Sequence, residues 1–420
     1  LGRADPGLTT FSSPPCSLTD RGHVALVAGG WVRDALLGRA SPDVDVATSA
    51  PSSEVAATFD RVIPMPNDTL IVVLDGVPFE VTPFRTAGGG EAGGDCTPPP
   101  PSAAPRLDAE ARDFTVNALF YDPLTDRVID YVGGVADVRA RILRGTVDPA
   151  ARLDEDPLRV LRAVRFAAGL GLTLDDVTEV AVRAAAPSCA PPAVAAERVW
   201  KELVKLASCE SERPGAFADG VRLAADLGVM AVVLPEAGPG VSARDAALRR
   251  LPADTPAVLR VATALPDDAV TTERVAALAS RLKLSRKEAR ALDALAALRA
   301  LDARAASDAP PACMEWVALY AREGADAAVA AARARLESAD TRSAHAAAHA
   351  TRTTDWAAGI ARARAGKLLL TAKAALAAGA PRGKALGDLV RRGEALAVER
   401  GLEEAEDVVA ALRGEGVWPV

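Results

Sequence analysis

Residues 43–46, "DVDV", set two carboxylates one residue apart, and that spacing carries a chemistry of its own. On a strand Asp43 and Asp45 point to one face, about 6–7 Å apart at Cα, while Val44 and Val46 bury the other. Carboxylates held side by side repel unless a cation lies between them. A hard ion such as Mg²⁺ is held by one or two carboxylates together with substrate phosphates. Glu80, in "PFEVTPFR", is flanked by Phe79 and Val81 and projects from one face of its own strand. Were the two strands adjacent, three carboxylates would converge. Such a cluster holds two metal ions roughly 3.5–4 Å apart, one activating an attacking hydroxyl and one steadying a triphosphate leaving group. Each of these carboxylates taken singly also reads as a solvated strand residue.

Just upstream, "VAGGWVRD" places Gly29 and Gly30 where an apolar strand gives way to a short helix. Bare backbone N–H groups there approach phosphate oxygens closely, and Arg33, one turn in, reaches the same anion. A Gly-Gly pair alone is a tight turn. Its position little more than a dozen residues ahead of the carboxylate pair makes the combination far more specific.

These residues need a scaffold. Between 24 and about 132, "VALVAG", "VDVAT", "TLIVVLDGVPFEVTPF" and "ALFYD...RVIDYV" read as short strands broken by turn signals. Asp75-Gly76 predicts a type I′ hairpin, and helices are expected at 33–40 and 52–58. Residues 87–106 are Gly- and Pro-rich and predict a surface loop. From about 136 onward apolar residues recur at three and four, so helix is expected almost throughout, including "ADVRARILRG". The fold class expected is an α+β head, a small mixed sheet with helices, followed by all-α regions.

The chain has 420 residues and a formal net charge of -7, so any nucleic-acid contact is expected in one local basic groove. Arg139, Arg141, Arg144 and Arg152 are candidates for such a face, or for a solvated helix surface. The five cysteines show no C-x-x-C pair and read as free thiols in a reducing, intracellular setting. No apolar run reaches membrane-spanning length. The first residue is Leu1, so an incomplete N-terminus is expected and a targeting peptide is unreadable. His345 and His349 have helical metal-ligand spacing without a third ligand and read as a solvated helix.

"VAGGWVRDALLGRASPDVDVAT", "ARDFTVNALFYD" and "DEDPLRVLRAVRFAA" occur in an order that resembles the class II CCA-adding tRNA nucleotidyltransferases and the related bacterial poly(A) polymerases, within the DNA-polymerase-β-like superfamily. "AAERVWKELVKL" and "GAPRGKALGDL" resemble the following neck and tail more loosely. The resemblance implies that Asp43 and Asp45 bind Mg²⁺ with Glu80 as a third catalytic carboxylate, and that Gly29, Gly30 and Arg33 meet the triphosphate. It implies that Arg112 and Asp113 hold a phosphate and the ribose hydroxyl, with Asn117 in support. Ala111 replaces the family's first arginine before "RDFT", and the loop at 87–106 falls where the family has a flexible one.

Asp156 precedes Pro157 and reads as a helix cap. It also lies three residues before Arg159, on a shared face, as Arg162 and Arg165 share one further on. A carboxylate accepts from the exocyclic amine of cytosine or adenine while a guanidinium donates to a ring acceptor; uracil and guanine present a carbonyl where that amine would be. The implied activity is addition of C and A from CTP and ATP to the tRNA 3′ acceptor end, releasing pyrophosphate. The expected domains are a catalytic head at 1–135, a nucleotide-selecting neck at 136–210, a body at 211–310 and a tRNA-binding tail at 311–420. Poly(A) polymerase activity is one alternative; a non-catalytic helical RNA-binding scaffold is another.

Overall fold

The structure, a computed structural model, describes residues 14–41, 43–66, 68–84, 103–305, 307–337 and 343–418. The chain divides into two compact units, Leu1–Val194 and Ala195–Val420.

The first unit opens with α1 (Pro14–Thr19), β1 (Ala25–Ala28), α2 (Gly30–Leu36), β2 (Asp45–Thr48), α3 (Ser52–Thr58), β3 (Val62–Pro64), β4 (Leu70–Leu74) and β5 (Val77–Pro83). Further on come α4 (Ala104–Ala111), a 3₁₀ turn at Thr115–Asn117, β6 (Leu119–Asp122) and β7 (Arg127–Asp130). The strands form one sheet in the order β3-β4-β5-β2-β1-β6-β7. Within this sheet the β2–β5 pair is parallel and the other five pairs are antiparallel.

The β4–β5 hairpin turns where the sequence predicts it. Leu74 pairs with Val77, and Asp75 and Gly76 both take positive φ, 49° and 82°, as a type I′ turn requires. Of the Gly/Pro-rich stretch, 87–102 lies outside the described residues, whereas Ala104, Pro105 and Arg106 already belong to α4. Pro105 sits in the first turn, where its missing N–H is not needed.

Alternation along the strands supplies two cores. Val46, Val72, Phe79 and Val81 pack with Leu18, Val55 and Phe59, whereas Leu26, Ala28, Ala47 and Phe84 pack with Ala109 and Phe120. By that period of two, Asp45 and Glu80 belong to the face of Ala47 and Phe84.

The unit continues with α5 (Gly134–Ala140), β8 (Ile142–Leu143), α6 (Pro149–Glu155), α7 (Leu158–Leu170), β9 (Thr173–Leu174) and α8 (Asp176–Ala185). Here the expected helix through "ADVRARILRG" is corrected. It stops at Ala140 because Arg141 turns left-handed at φ 58°, and Ile142 and Leu143 then pair in parallel with Thr173 and Leu174.

Among its described residues the second unit is helical, starting with α9 (Ala196–Ser208). "DGVRLAADLGVMAVVL" forms two helices, Ala216–Asp226 and Val229–Val233, separated by Gly228 at φ 79°. The expected solvated His349 is corrected: it is fully buried, with Nδ1 2.8 Å from the Tyr320 hydroxyl and Nε2 3.0 Å from Asp302. Its ring meets Trp316 edge-on at 5.6 Å. The His345 side chain lies outside the described ones. Cys16, Cys189, Cys209 and Cys313 are free thiols, as expected, and Cys96 lies outside the described residues. Among the described residues no helix is long and apolar enough to cross a membrane.

Candidate functional site

Asp45 opens β2, and the parallel register sets it directly beside Glu80 of β5, with Ala28 of β1 on its other side. In-register neighbours point to the same face, so the strand adjacency required of the carboxylates is met at the backbone. Asp43 lies two residues ahead, exposed, outside the strand proper. Among the described residues no three His, Cys, Asp or Glu side chains are gathered closely enough to hold a metal ion between them. Asp45 and Glu80 nonetheless carry carboxylates on one side of one sheet, the donor type a hard divalent cation takes.

Gly29 ends β1 with φ 74°. A Cβ added there would lie 2.9 Å from Nη1 of Arg112 and 3.8 Å from a carboxylate oxygen of Asp45. The glycine therefore serves two ends, a left-handed backbone and room for the Arg112 guanidinium. Arg112 is held by Asp108, which accepts from Nε at 3.1 Å and Nη2 at 2.8 Å, and by the carbonyl of Asn117 at 3.2 Å. Its guanidinium lies 5.2 Å from the Phe120 ring centre. Thr146 donates to the Arg112 carbonyl and so fixes the backbone of the same residue. Ala111 is half-buried at the end of α4.

Arg33, in α2, is buried. Its Nε and Nη2 donate to the adjacent Asp34 at 3.0 and 2.9 Å, and its Nη1 donates to the side-chain carbonyl of Asn117. Burial draws its pKa below the ordinary arginine value; Asp34 opposes that, and the nearby Arg165 adds to it. Asn117 in turn donates from Nδ2 to Asp113 at 3.0 Å. The other oxygen of Asp113 takes Nε and Nη2 of Arg162, at 2.8 and 2.6 Å. Burial would raise the Asp113 carboxyl. The Arg162 charge and hydrogen bonds from Asn117, Arg162 and the Phe114 amide outweigh it and hold the pKa below the usual aspartate value. One polar chain, Arg33–Asn117–Asp113–Arg162, thus crosses from α2 through the 3₁₀ turn to α7.

The guanidiniums of Arg33, Arg162 and Arg165 gather around the Phe166 ring, at 5.3, 5.2 and 4.0 Å from its centre. Three cations around one aromatic ring make a local positive field in an acidic protein. Phe166 escapes the sequence reading because an aromatic in "AVRFAAGL" reads as core. Asp108 is legible only as an i,i+4 partner of Arg112.

The arrangement near α7 differs from the sequence reading. Asp156 and Arg159 do not lie on one helix, because Asp156 (φ −144°, ψ 95°) occupies the break between α6 and α7. Asp156 accepts from the Leu158 amide at 3.2 Å and so caps α7. Arg159 folds back onto α6, where its Nη1 donates to the Arg152 carbonyl at 2.6 Å and to Glu155 at 3.1 Å. The candidate basic face is also partly spent in structure. Arg144 pairs with Asp137 and Asp175, Arg152 pairs with Glu155, and Arg141 donates to the Leu170 carbonyl. Of the four, Arg139 is an exposed residue on α5.

A mixed sheet, an acidic strand pair, a glycine turn and a packed arginine cluster together make up the head of this chain. Residues 25–144 match the poly A polymerase head domain family. The chain is 37% identical over 239 residues to a CCA-adding enzyme of Geobacillus thermodenitrificans, covering 56% of this chain and 55% of that protein. It is 40% identical over 171 residues to one of Anoxybacillus flavithermus, covering 40% and 42%. The crystal structure of the Bacillus stearothermophilus CCA-adding enzyme in complex with CTP superposes with a TM-score of 0.68 at 25% identity, over 98% of this chain and 99% of that one. Residues 25–144 thus resemble a poly A polymerase head domain, and the chain is similar to CCA-adding enzymes. In sequence it spans about half the length of the relatives it matches.

Proposed function

We propose that the protein adds C and A to the 3′ ends of tRNA from CTP and ATP, without a nucleic-acid template. The observation that carries the reading is the polar chain Arg33–Asn117–Asp113–Arg162, which joins residues of three separated motifs beside Asp45 and Gly29. The relatives named CCA-adding enzymes support the same reading.

In the reaction the tRNA 3′ hydroxyl attacks the α-phosphorus, the new phosphodiester forms, and pyrophosphate leaves. Asp43 and Asp45 would hold Mg²⁺, with Glu80 in register beside them; when bound, the ion supplies charge neutralisation and an acidified hydroxyl. The residues of the chain bind and orient. Gly29 and Gly30 admit the triphosphate close to the backbone, while Arg33, Arg162 and Arg165 supply positive potential and Arg112 a planar donor fork. Asp113 and Asn117 hold Arg162 and Arg33 in place.

Selection falls to Asp156 and Arg159. The Asp156 carboxylate accepts from an exocyclic amine, and Arg159, with Nη1 engaged on α6, offers Nε and Nη2 to a ring acceptor. Uracil and guanine would set a carbonyl against Asp156. In this reading the segment 136–210 selects the nucleotide, and 311–420 contributes to holding tRNA.

The test is pyrophosphate release from CTP with a tRNA transcript lacking its CCA, in the presence of Mg²⁺. Release that requires both substrates supports the proposal. Release with ATP alone and growth of long A-tails would assign poly(A) synthesis instead, and no release with any nucleotide would leave an RNA-binding scaffold.

A further inference from the structure

The chain has seven lysines, Lys201, Lys205, Lys283, Lys287, Lys367, Lys373 and Lys384, and none in the first 200 residues. Arginine supplies the rest of its 49 basic residues, and many of these arginines are neutralised in ion pairs. Four of the seven lysines fall on two short segments of the second unit, α9 and residues 283–287, a turn that leads into the helix Arg286–Ala305.

Glu288 stitches these segments together. One of its oxygens takes the Trp200 indole N–H at 3.0 Å, and the other takes the Ser285 amide at 2.8 Å, while Ser285 caps the Glu288 amide in return. That carboxylate is thereby turned inward as a clamp. Lys201, Lys283, Arg286 and Lys287 are exposed and make no ion pair among the described residues. Lys205, on the same stripe of α9 as Lys201, pairs at 3.4 Å with Glu202 and keeps most of its side chain in solvent. Glu197 is the acidic residue sharing that stripe. Uncompensated lysines repel one another and are retained at a cost unless a polyanion meets them.

We propose that this surface, Lys201 on α9 with Lys283 on the neighbouring turn and Arg286 and Lys287 at the start of the helix Arg286–Ala305, binds the phosphate backbone of an RNA. Lysine is suited to that task as a mobile point charge that follows a backbone without reading bases. No large exposed apolar side chain accompanies the patch among the described residues, so it lacks the apolar face with which a basic surface enters a lipid headgroup layer. The proposal rests on the reading of RNA as substrate. Its test is binding, so a protein that holds RNA yet adds no nucleotide fails that reading and not this one.

A labelled tRNA transcript lacking its 3′ CCA is titrated with the full chain and with K201Q/K283Q/R286Q/K287Q at several KCl concentrations. The variant is expected to bind about tenfold more weakly or worse near 0.1 M salt, as a rough scale, with the slope of log K against log salt reduced by about two to four. K201R/K283R/R286K/K287R keeps both affinity and slope. Unchanged affinity and slope in the glutamine variant, with an unchanged circular dichroism spectrum, overturn the proposal. Failure of the full chain to bind the transcript also overturns it, as does a loss seen on phosphatidylserine vesicles and not on RNA. If the fourfold variant does not fold, K283Q/K287Q is read in its place, with about half the change in slope.

Discussion

Asp113 and Arg162, 49 residues apart, form a two-pronged ion pair that fastens the "RDFT" segment to the helix bearing the arginine cluster. Asp113 is nearly fully buried and also receives Asn117 and the Phe114 amide, so the pair is part of a satisfied network. Removing one partner leaves a buried charge without compensation. Arg162→Ala is therefore expected to cost about 3 kcal/mol, read by urea denaturation at pH 7. The Asp113 pKa is depressed in the folded state, so the stabilisation is present above the unfolded aspartate value and is lost as pH falls through the folded one. The difference between wild type and Asp113→Asn should be flat from neutral pH to about pH 5 and shrink below about pH 4. A difference that grows on acidification would contradict the assignment.

Gly29→Ala places a Cβ at φ 74° and 2.9 Å from the Arg112 guanidinium. The backbone strain alone costs about 1–2 kcal/mol. The larger consequence is displacement of Arg112, expected as a rise in KM for CTP and ATP together. Gly38→Ala tests the backbone term by itself, since that glycine has φ 70° and open space around it. Equal effects of the two substitutions on KM would show that Arg112 is not the sensitive partner.

Asp45→Ala removes the carboxylate that β1 and β5 flank in register. Loss of several kcal/mol of transition-state stabilisation corresponds to a fall in incorporation of about a thousandfold or more. The melting temperature should change little, because Asp45 is half-buried at the strand's start and lies outside the two apolar clusters. Activity within a few-fold of wild type would remove Asp45 from the metal assignment.

Much of this site is legible in the sequence because its signals are local. Asp75-Gly76 specifies a hairpin by backbone conformation, and Val46 next to Asp45 marks a strand face, although Asp43 falls ahead of that strand. The distant partners of buried polar groups are not legible, since nothing near Asn117 shows that its side-chain carbonyl reaches Arg33, 84 residues away. Asp156 reads as sharing a helix face with Arg159 because Pro157 marks a boundary without revealing that α6 ends just before it. His349 misleads for a different reason. In an alanine-rich helix small apolar residues occupy every side, so the buried face is not distinguished until Trp316, Tyr320 and Asp302 close over it.

Arg159→Ala is expected to lower discrimination of CTP against UTP by about tenfold or more, because a site that donates to a base loses its selective bond. Incorporation kinetics with each nucleotide alone measure it. Folding should be less affected, since the Arg159 guanidinium bonds a backbone carbonyl and the half-exposed Glu155 rather than a buried carboxylate. An unchanged CTP-to-UTP ratio would take Arg159 out of nucleotide choice.

The central claim is tested most directly by sequencing the 3′ ends of a tRNA transcript lacking its CCA after incubation with the protein, Mg²⁺ and equal concentrations of all four nucleotides. The account predicts growth to CCA and arrest there, with products ending in C or CC when ATP is withheld. Runs of A, mixed additions containing U or G, or unextended ends would contradict it.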